Sequence, residues 1–340
     1  MTTAPGPSAT TESSIAHGQD RTVCDICDVF DVCDDQGAFG DRVDQVVPND
    51  RVVCDDQVGL AGRVVRDDAG TVFSPADTPR RIVSLAPNIT EILFALGLGD
   101  RVVGVTRYCD YPPAALEREK VGGLLDPNLE KIRALRPDLV IAFRGNPWSS
   151  IDRLRGLGLS VFVLDIGKTL ETVPRIIALI GRVTLREETA GALVRSLEAK
   201  ARTLAGLLAK ANGTPKIFIQ LQGLGLSTCG GESYLNDLLE RAGGANIAGR
   251  LKRDWLEYSR EQLLQDNPDV IIVLARTEAD FAKARNWFET QGGLKEIRAV
   301  RAGRVVRLDE NAASRFGPRL YDALFDLARL VHPELFEETP

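Results

Sequence analysis

The sequence predicts an α/β protein of two Rossmann-like lobes joined by a single long α-helix, and three patterns carry that prediction. Helical spacing alternates with short apolar runs along most of the chain, as in parallel sheets with helices covering both faces. One motif is then written twice. Asn128-Leu-Glu-Lys-Ile-Arg-Ala-Leu-Arg-Pro-Asp-Leu-Val-Ile-Ala-Phe143 and Ser259-Arg-Glu-Gln-Leu-Leu-Gln-Asp-Asn-Pro-Asp-Val-Ile-Ile-Val-Leu274 each give cap, helix, Pro-Asp and buried strand in one register. Between the copies, residues 185–211 place Ala190, Leu193, Val194, Leu197, Ala201, Leu204 and Leu208 at helical spacing. That is a helix of about 25 residues, near 40 Å long. The resulting plan is an acidic, disordered tail over residues 1–62, a first lobe over 63–183, the linking helix over 184–212 and a second lobe over 213–340.

In chain order, residues 64–74 read as a small hairpin turning at Asp68-Ala-Gly70. Residues 81–85 form a first core strand, broken by Ala86-Pro-Asn88, and residues 90–96 a helix stopped by Gly97. The strand at 102–105 runs into a loop, residues 106–113, that exposes Tyr108 and Tyr111. The first copy of the repeat follows, and its strand enters Arg144-Gly-Asn-Pro-Trp148. A helix at 150–157 and a strand at 161–164 complete the lobe. Beyond the linking helix come a strand at 216–222, a glycine-rich loop, a helix at 232–242 and the second copy. A helix at 279–290, a strand at 304–308 and an amphipathic helix at 318–331 close the chain.

Composition removes several classes of function. Only His17 and His332 occur, both near chain ends, which argues against a Ser-His-Asp triad, a His-rich zinc site or a His general base. The net charge of -6 is concentrated in residues 1–62, which hold twelve acids against three arginines; the remainder is nearly neutral and lacks the excess of bases expected of a nucleic-acid binder. Four of the six cysteines (Cys24, Cys27, Cys33, Cys54) lie in the tail with a spacing that is not a paired zinc pattern, and no metal site is expected. Cys109 and Cys229 can pair only if their loops meet. Gly223-Leu-Gly225 follows a strand, but Thr228 stands where a dinucleotide fingerprint needs its third glycine, so the loop reads as a flexible turn. The first residues lack a charged segment followed by an apolar one, and the beginning as given is not expected to represent the natural export segment.

In open parallel sheets the ligand crevice lies beyond the carboxyl ends of the strands. Tyr108, Phe143, Arg144, Trp148, Trp255 and Arg315 fall in or beside such loops, where aromatics are less easily assigned to a core. Glu130 and Glu261 each sit two residues after a helix cap. An acid there opposes the positive helix end, worth about 0.3–1 kcal/mol. Their equivalence also presents one exposed carboxylate per lobe, a pair suited to two cations on a symmetric partner.

Arg81-Ile-Val-Ser-Leu-Ala-Pro-Asn-Ile-Thr-Glu-Ile-Leu-Phe-Ala-Leu-Gly97, Val103-Gly-Val-Thr-Arg-Tyr-Cys-Asp-Tyr-Pro112, Asn128-Leu-Glu130 and Arg136-Pro-Asp-Leu-Val-Ile141 resemble the periplasmic substrate-binding proteins of cobalamin and siderophore ABC importers. The resemblance covers about residues 64–335 and is strongest to the cobalamin-binding branch. Tyr108, the turn Ala142-Phe-Arg-Gly145, Trp255 ahead of Ser259-Arg-Glu-Gln262, and Ser314-Arg-Phe-Gly-Pro-Arg319 support that branch. It implies a non-enzymatic, monomeric, extracytoplasmic binding protein with no cofactor. Its ligand would be a corrinoid, lined by Tyr108, Phe143, Trp255 and Arg315, and Glu130 and Glu261 would meet arginines of an ABC permease dimer. Leu124 and Ser227 stand where the family has pocket aromatics, and Asn311, also expected at the ligand, where it has an acid, which keeps a different corrinoid or a ferric siderophore or haem as alternatives. A Rossmann-like enzyme would need a catalytic set or cofactor loop, and no complete one is present in the sequence.

Overall fold

A computed structural model describes residues 64–165, 167–221 and 223–336. The tail expected over residues 1–62, with its four cysteines, lies outside the described residues.

The first lobe opens with the expected hairpin, β1 (Val65–Arg66) against β2 (Val72–Phe73). Asp67 fixes its turn by accepting from the amides of Ala69 (3.0 Å) and Thr71 (2.7 Å), and anchors it by accepting from the Val163 amide at 3.0 Å. Then follow β3 (Ile82–Ser84), α1 (Pro87–Ala95), β4 (Val102–Val105), β5 (Glu119–Lys120), α2 (Leu129–Ala134), β6 (Leu139–Phe143), α3 (Trp148–Gly156) and β7 (Val161–Leu164). The sheet is parallel throughout in the order β5-β4-β3-β6-β7. Strands β6 and β7 are buried along their whole length, as sheets with both faces covered require.

Two helices follow, α4 (Thr172–Val183) and α5 (Glu187–Leu208). The long helix expected over residues 184–212 is α5; α4 was not expected. Pro174 reads as a breaker in sequence, yet it occupies the first turn of α4, where its missing N–H has no partner to lose. Val173, Ile176, Ile177, Ile180 and Val183 bury one face of α4. Gly181 and Ala190 let the two helices approach closely, since a Cβ at Gly181 would lie 2.5 Å from that of Ala190.

The second lobe contains β8 (Lys216–Gln220), β9 (Ser227–Cys229), α6 (Tyr234–Arg241), β10 (Ala245–Asn246), β11 (Trp255–Glu257), α7 (Arg260–Asp266), β12 (Val270–Ala275), α8 (Glu278–Thr290), α9 (Arg298–Arg301), β13 (Val305–Asp309), α10 (Glu310–Ala313) and α11 (Arg319–Val331). Its parallel sheet runs β10-β8-β12-β13 and shares no strand with the first. The glycine-rich loop after β8 leads into β9, which pairs antiparallel with β11. It does not lead directly into a helix, so the phosphate-cradling arrangement of a dinucleotide fold is absent there.

The repeated motif builds the same junction in each lobe. Asn128 caps α2 by accepting from the Lys131 amide at 2.9 Å, and Ser259 caps α7 by accepting from the Gln262 amide at 3.1 Å. Both helices are followed by a left-handed residue, Arg136 (φ 47°) or Asn267 (φ 46°), ahead of Pro-Asp. The aspartate then clips the start of the neighbouring strand. The Asp138 carboxylate accepts from the amides of Arg80 (2.7 Å) and Arg81 (3.0 Å), and Asp269 accepts from the Lys216 amide at 2.9 Å. Their own amides donate to the carbonyls of Arg81 and Lys216 at 3.0 and 2.8 Å. Asp138→Ala and Asp269→Ala should each cost about 1–2 kcal/mol. Region-resolved hydrogen exchange should place each loss in its own lobe, and because the sites share no partners the double variant should be additive within about 0.5 kcal/mol.

Candidate functional site

The order of strands puts a switch point between β3 and β6 in the first lobe and between β8 and β12 in the second, the positions where open parallel sheets receive ligands. At the first of these the buried Asn146 ties three loops together. Its side-chain oxygen accepts from the Phe143 amide at 3.0 Å, and its amide nitrogen donates to the carbonyls of Leu85 (3.2 Å) and Leu124 (2.9 Å). Sequence reading passed over Asn146 because an Asn between Gly and Pro reads as an ordinary turn residue. In the second lobe the buried Gln220 folds the glycine-rich loop back, donating to the carbonyls of Gly223 (3.2 Å) and Gly225 (2.9 Å).

The lobes meet beside these loops through an ionic network. Glu91 of α1 is 3% exposed. Its carboxylate accepts two bonds from Arg319 (3.1 and 2.6 Å) and one from Arg315 (3.4 Å). Arg315, 7% exposed, also pairs with Asp110 and donates to the Tyr108 carbonyl and the Asn311 side-chain oxygen, both at 3.2 Å. Arg319 stacks on the Tyr111 ring at 4.0 Å, and Asn88 donates to the Phe316 carbonyl at 3.4 Å. Burial alone would push the Asp110 carboxyl up, but the hydrogen bond and charge of Arg315 outweigh it and hold it below its ordinary range.

Two of the seven expected ligand residues are buried in this structure. Arg315 was expected to line the cleft; it is instead buried between the lobes with both terminal nitrogens committed. Phe143 is buried too, at 4% exposure, its ring packed over Gly145 rather than offered to solvent. The network gathers Tyr108 and Asn311, both half-buried, around Arg315. Trp255, also half-buried, joins it through a run of rings: Trp255 to Tyr234 at 5.9 Å and Tyr234 to Phe316 at 4.8 Å. Arg144 and Trp148 are exposed at the carboxyl end of β6, with Arg144 paired to Asp165 at 3.0 Å. Arg107 pairs with Asp126 at 2.6 Å and lies 5.8 Å from the Tyr108 ring centroid.

Glu130 and Glu261 are both exposed in the first turns of α2 and α7. Cys109 and Cys229 are buried, free thiols. Burial raises both above the usual thiol range, Cys229 to about 12. A separate hollow of about 690 Å³, lined among others by Phe73, Arg80, Leu139, Arg155 and Val161, lies at the amino ends of β6 and β7 and contains none of the expected ligand residues. Among the described residues no cluster of His, Cys, Asp or Glu could hold a metal ion.

Comparison with known proteins follows the same architecture. A periplasmic binding protein family profile matches residues 82–312. The chain is 33% identical over 271 residues to the ABC transporter substrate-binding lipoprotein YvrC of Bacillus subtilis, covering 76% of this chain and 82% of that one. Among solved structures it resembles the vitamin B12 binding protein BtuF of Vibrio cholerae, with TM-score 0.65, 30% identity and coverage of 77% and 99% of the two chains. It also resembles the haem-binding protein RhuT of Roseiflexus sp. RS-1, with TM-score 0.69, 26% identity and coverage of 75% and 99%.

A depressed carboxyl supplies stability that is present above its unfolded pKa, near 3.9, and is lost as pH falls through the folded value. Asp110→Asn should therefore destabilise the protein at neutral pH, and the gap to the unaltered chain should close as pH drops below about 4. Urea denaturation at stepped pH measures this, and a gap independent of pH would contradict it.

Proposed function

The chain belongs to the periplasmic binding protein family, and we propose that it is the extracytoplasmic substrate-binding component of an ABC importer whose ligand is a corrinoid held between the lobes. The observation that carries this reading is the placing of partly exposed aromatics on both lobes, Tyr108 and Trp148 beyond the carboxyl ends of β4 and β6 and Trp255 at the start of β11. Flat rings presented this way suit a broad, largely uncharged macrocycle, whose amide edges would find hydrogen-bonding groups such as Asn311. Similarity to proteins named for vitamin B12 supports the same ligand class.

A second reading, haem, has one observation in its favour. The Arg107 guanidinium lies 5.8 Å from the centroid of the Tyr108 ring, and a phenol oxygen is a hard donor suited to ferric iron. Calorimetric titration of the full chain with cyanocobalamin, cobinamide, haemin and a ferric hydroxamate separates the readings. Binding of the first two supports the corrinoid. Binding of haemin alone, with an iron–tyrosinate absorption band lost in Tyr108→Phe, replaces it. On the corrinoid reading Trp148→Ala should weaken cyanocobalamin binding about tenfold.

Delivery would use Glu130 and Glu261, which stand at equivalent, solvent-facing helix starts in the two lobes. Two carboxylates so placed can meet two cations on a two-fold symmetric permease. Reversing both charges (Glu130→Arg with Glu261→Arg) should leave calorimetric affinity unchanged and abolish cellular uptake. Loss of affinity in that variant would contradict the separation of binding from docking.

A further inference from the structure

We infer that Glu91 is a positioning residue that fixes the ligand-facing loops of both lobes by acting through Arg315. The ligand part of this inference rests on the reading above; the positioning itself does not.

All three hydrogen bonds described for the Glu91 carboxylate come from the other lobe, from Arg319 and Arg315. Asn88 lies one helical turn before Glu91 on α1 and reaches the same segment through the Phe316 carbonyl. The chain comes so close here that a Cβ at Gly317 would lie 3.3 Å from the Glu91 carboxylate. With one terminal nitrogen held by Glu91 and Asp110, the planar guanidinium of Arg315 has little freedom to turn. Its other nitrogen then sets the Tyr108 carbonyl and the Asn311 side chain, one from each lobe, on a single donor group. Glu91 itself is buried, so it acts on the cleft only through this intermediary.

Removing the charge leaves the buried Arg315 and half-buried Arg319 guanidiniums with only Asp110 as their acidic partner here, an arrangement that should release Arg315 from its fixed orientation. The test uses full-length Glu91→Gln and, should that variant fold poorly, Glu91→Gln with Arg319→Met, which removes the charge together with one of its two cationic partners and keeps the hydrophobic stem. Amide exchange should accelerate at least about tenfold in residues 87–92, 108–111 and 311–320, while strands of both sheets keep their protection. With cyanocobalamin as probe, dissociation should speed up about tenfold and association change by less than about threefold. Unchanged exchange in those segments overturns the inference, as does a loss of protection spread through both sheets. Faster exchange with an unaltered dissociation rate also overturns it, because the network would then hold the lobes without positioning the site. If cyanocobalamin does not bind the unaltered chain, the ligand reading fails and the exchange result alone decides the role of Glu91.

Discussion

The arrangement of this protein depends on a carboxylate buried where two sheets without a common strand come together. Taking Glu91 out of water is unfavourable unless its charge is met at close range. Here the compensation comes from Arg319 and Arg315 of the opposite lobe. Such a network adds little net stability relative to an apolar contact, since desolvation consumes most of the attraction. What it imposes is geometry: the bidentate approach of Arg319 is satisfied at one separation and one orientation of the lobes. Apolar surfaces at this junction would tolerate sliding, whereas paired charges do not. Tyr108 of the first lobe and Asn311 of the second take their places around one of these arginines, Arg315, so their positions and the contact between the lobes are one problem.

Each lobe had to solve a second problem alone, namely how to start a strand beside a helix that has just ended. The solution is the same in both. A left-handed residue ends the helix, proline prevents its continuation, and the aspartate that follows satisfies the amide at the start of the adjacent strand. Every part of that solution is local and chemically specific, which is why the repeat could be read from sequence. The alternation of strands and helices along the chain, the long helix and the glutamates at equivalent helix starts follow from the same local grammar.

What could not be read were contacts that depend on distant parts of the chain. Arg315 and Phe143 sit at the ends of elements, and sequence position placed them near the cleft without saying which way they face. Arg315 turns inward because two acids more than two hundred residues away claim it. Phe143 is covered because Gly145 lets its ring fold back over the turn. Glu91 did carry a signal. Every residue from Asn88 to Leu93 is buried, and an acid in so apolar a helix implies a buried cation. Helix α4 has a different difficulty: a proline normally argues against a helix, although at Pro174, in the first turn, it leaves the hydrogen-bond ladder intact.

The long helix and the ionic network also act on each other. Helix α5 buries Ala190, Leu197 and Leu204, a narrow seam repeating every seven residues, so it lies along the body as a strut rather than passing through a core. Near its start it packs on α4, and farther along Lys200 pairs with Asp322 of α11 at 2.8 Å. Arg319, which holds Glu91, lies on α11 one turn before Asp322. A single helix therefore carries both contacts, but the exposed Lys200–Asp322 pair contributes little and the restraint lies in the buried charge contact. Opening the lobes would require breaking that contact, or bending a helix of 22 residues with no proline to kink it. Spontaneous swinging of the lobes is disfavoured on either route.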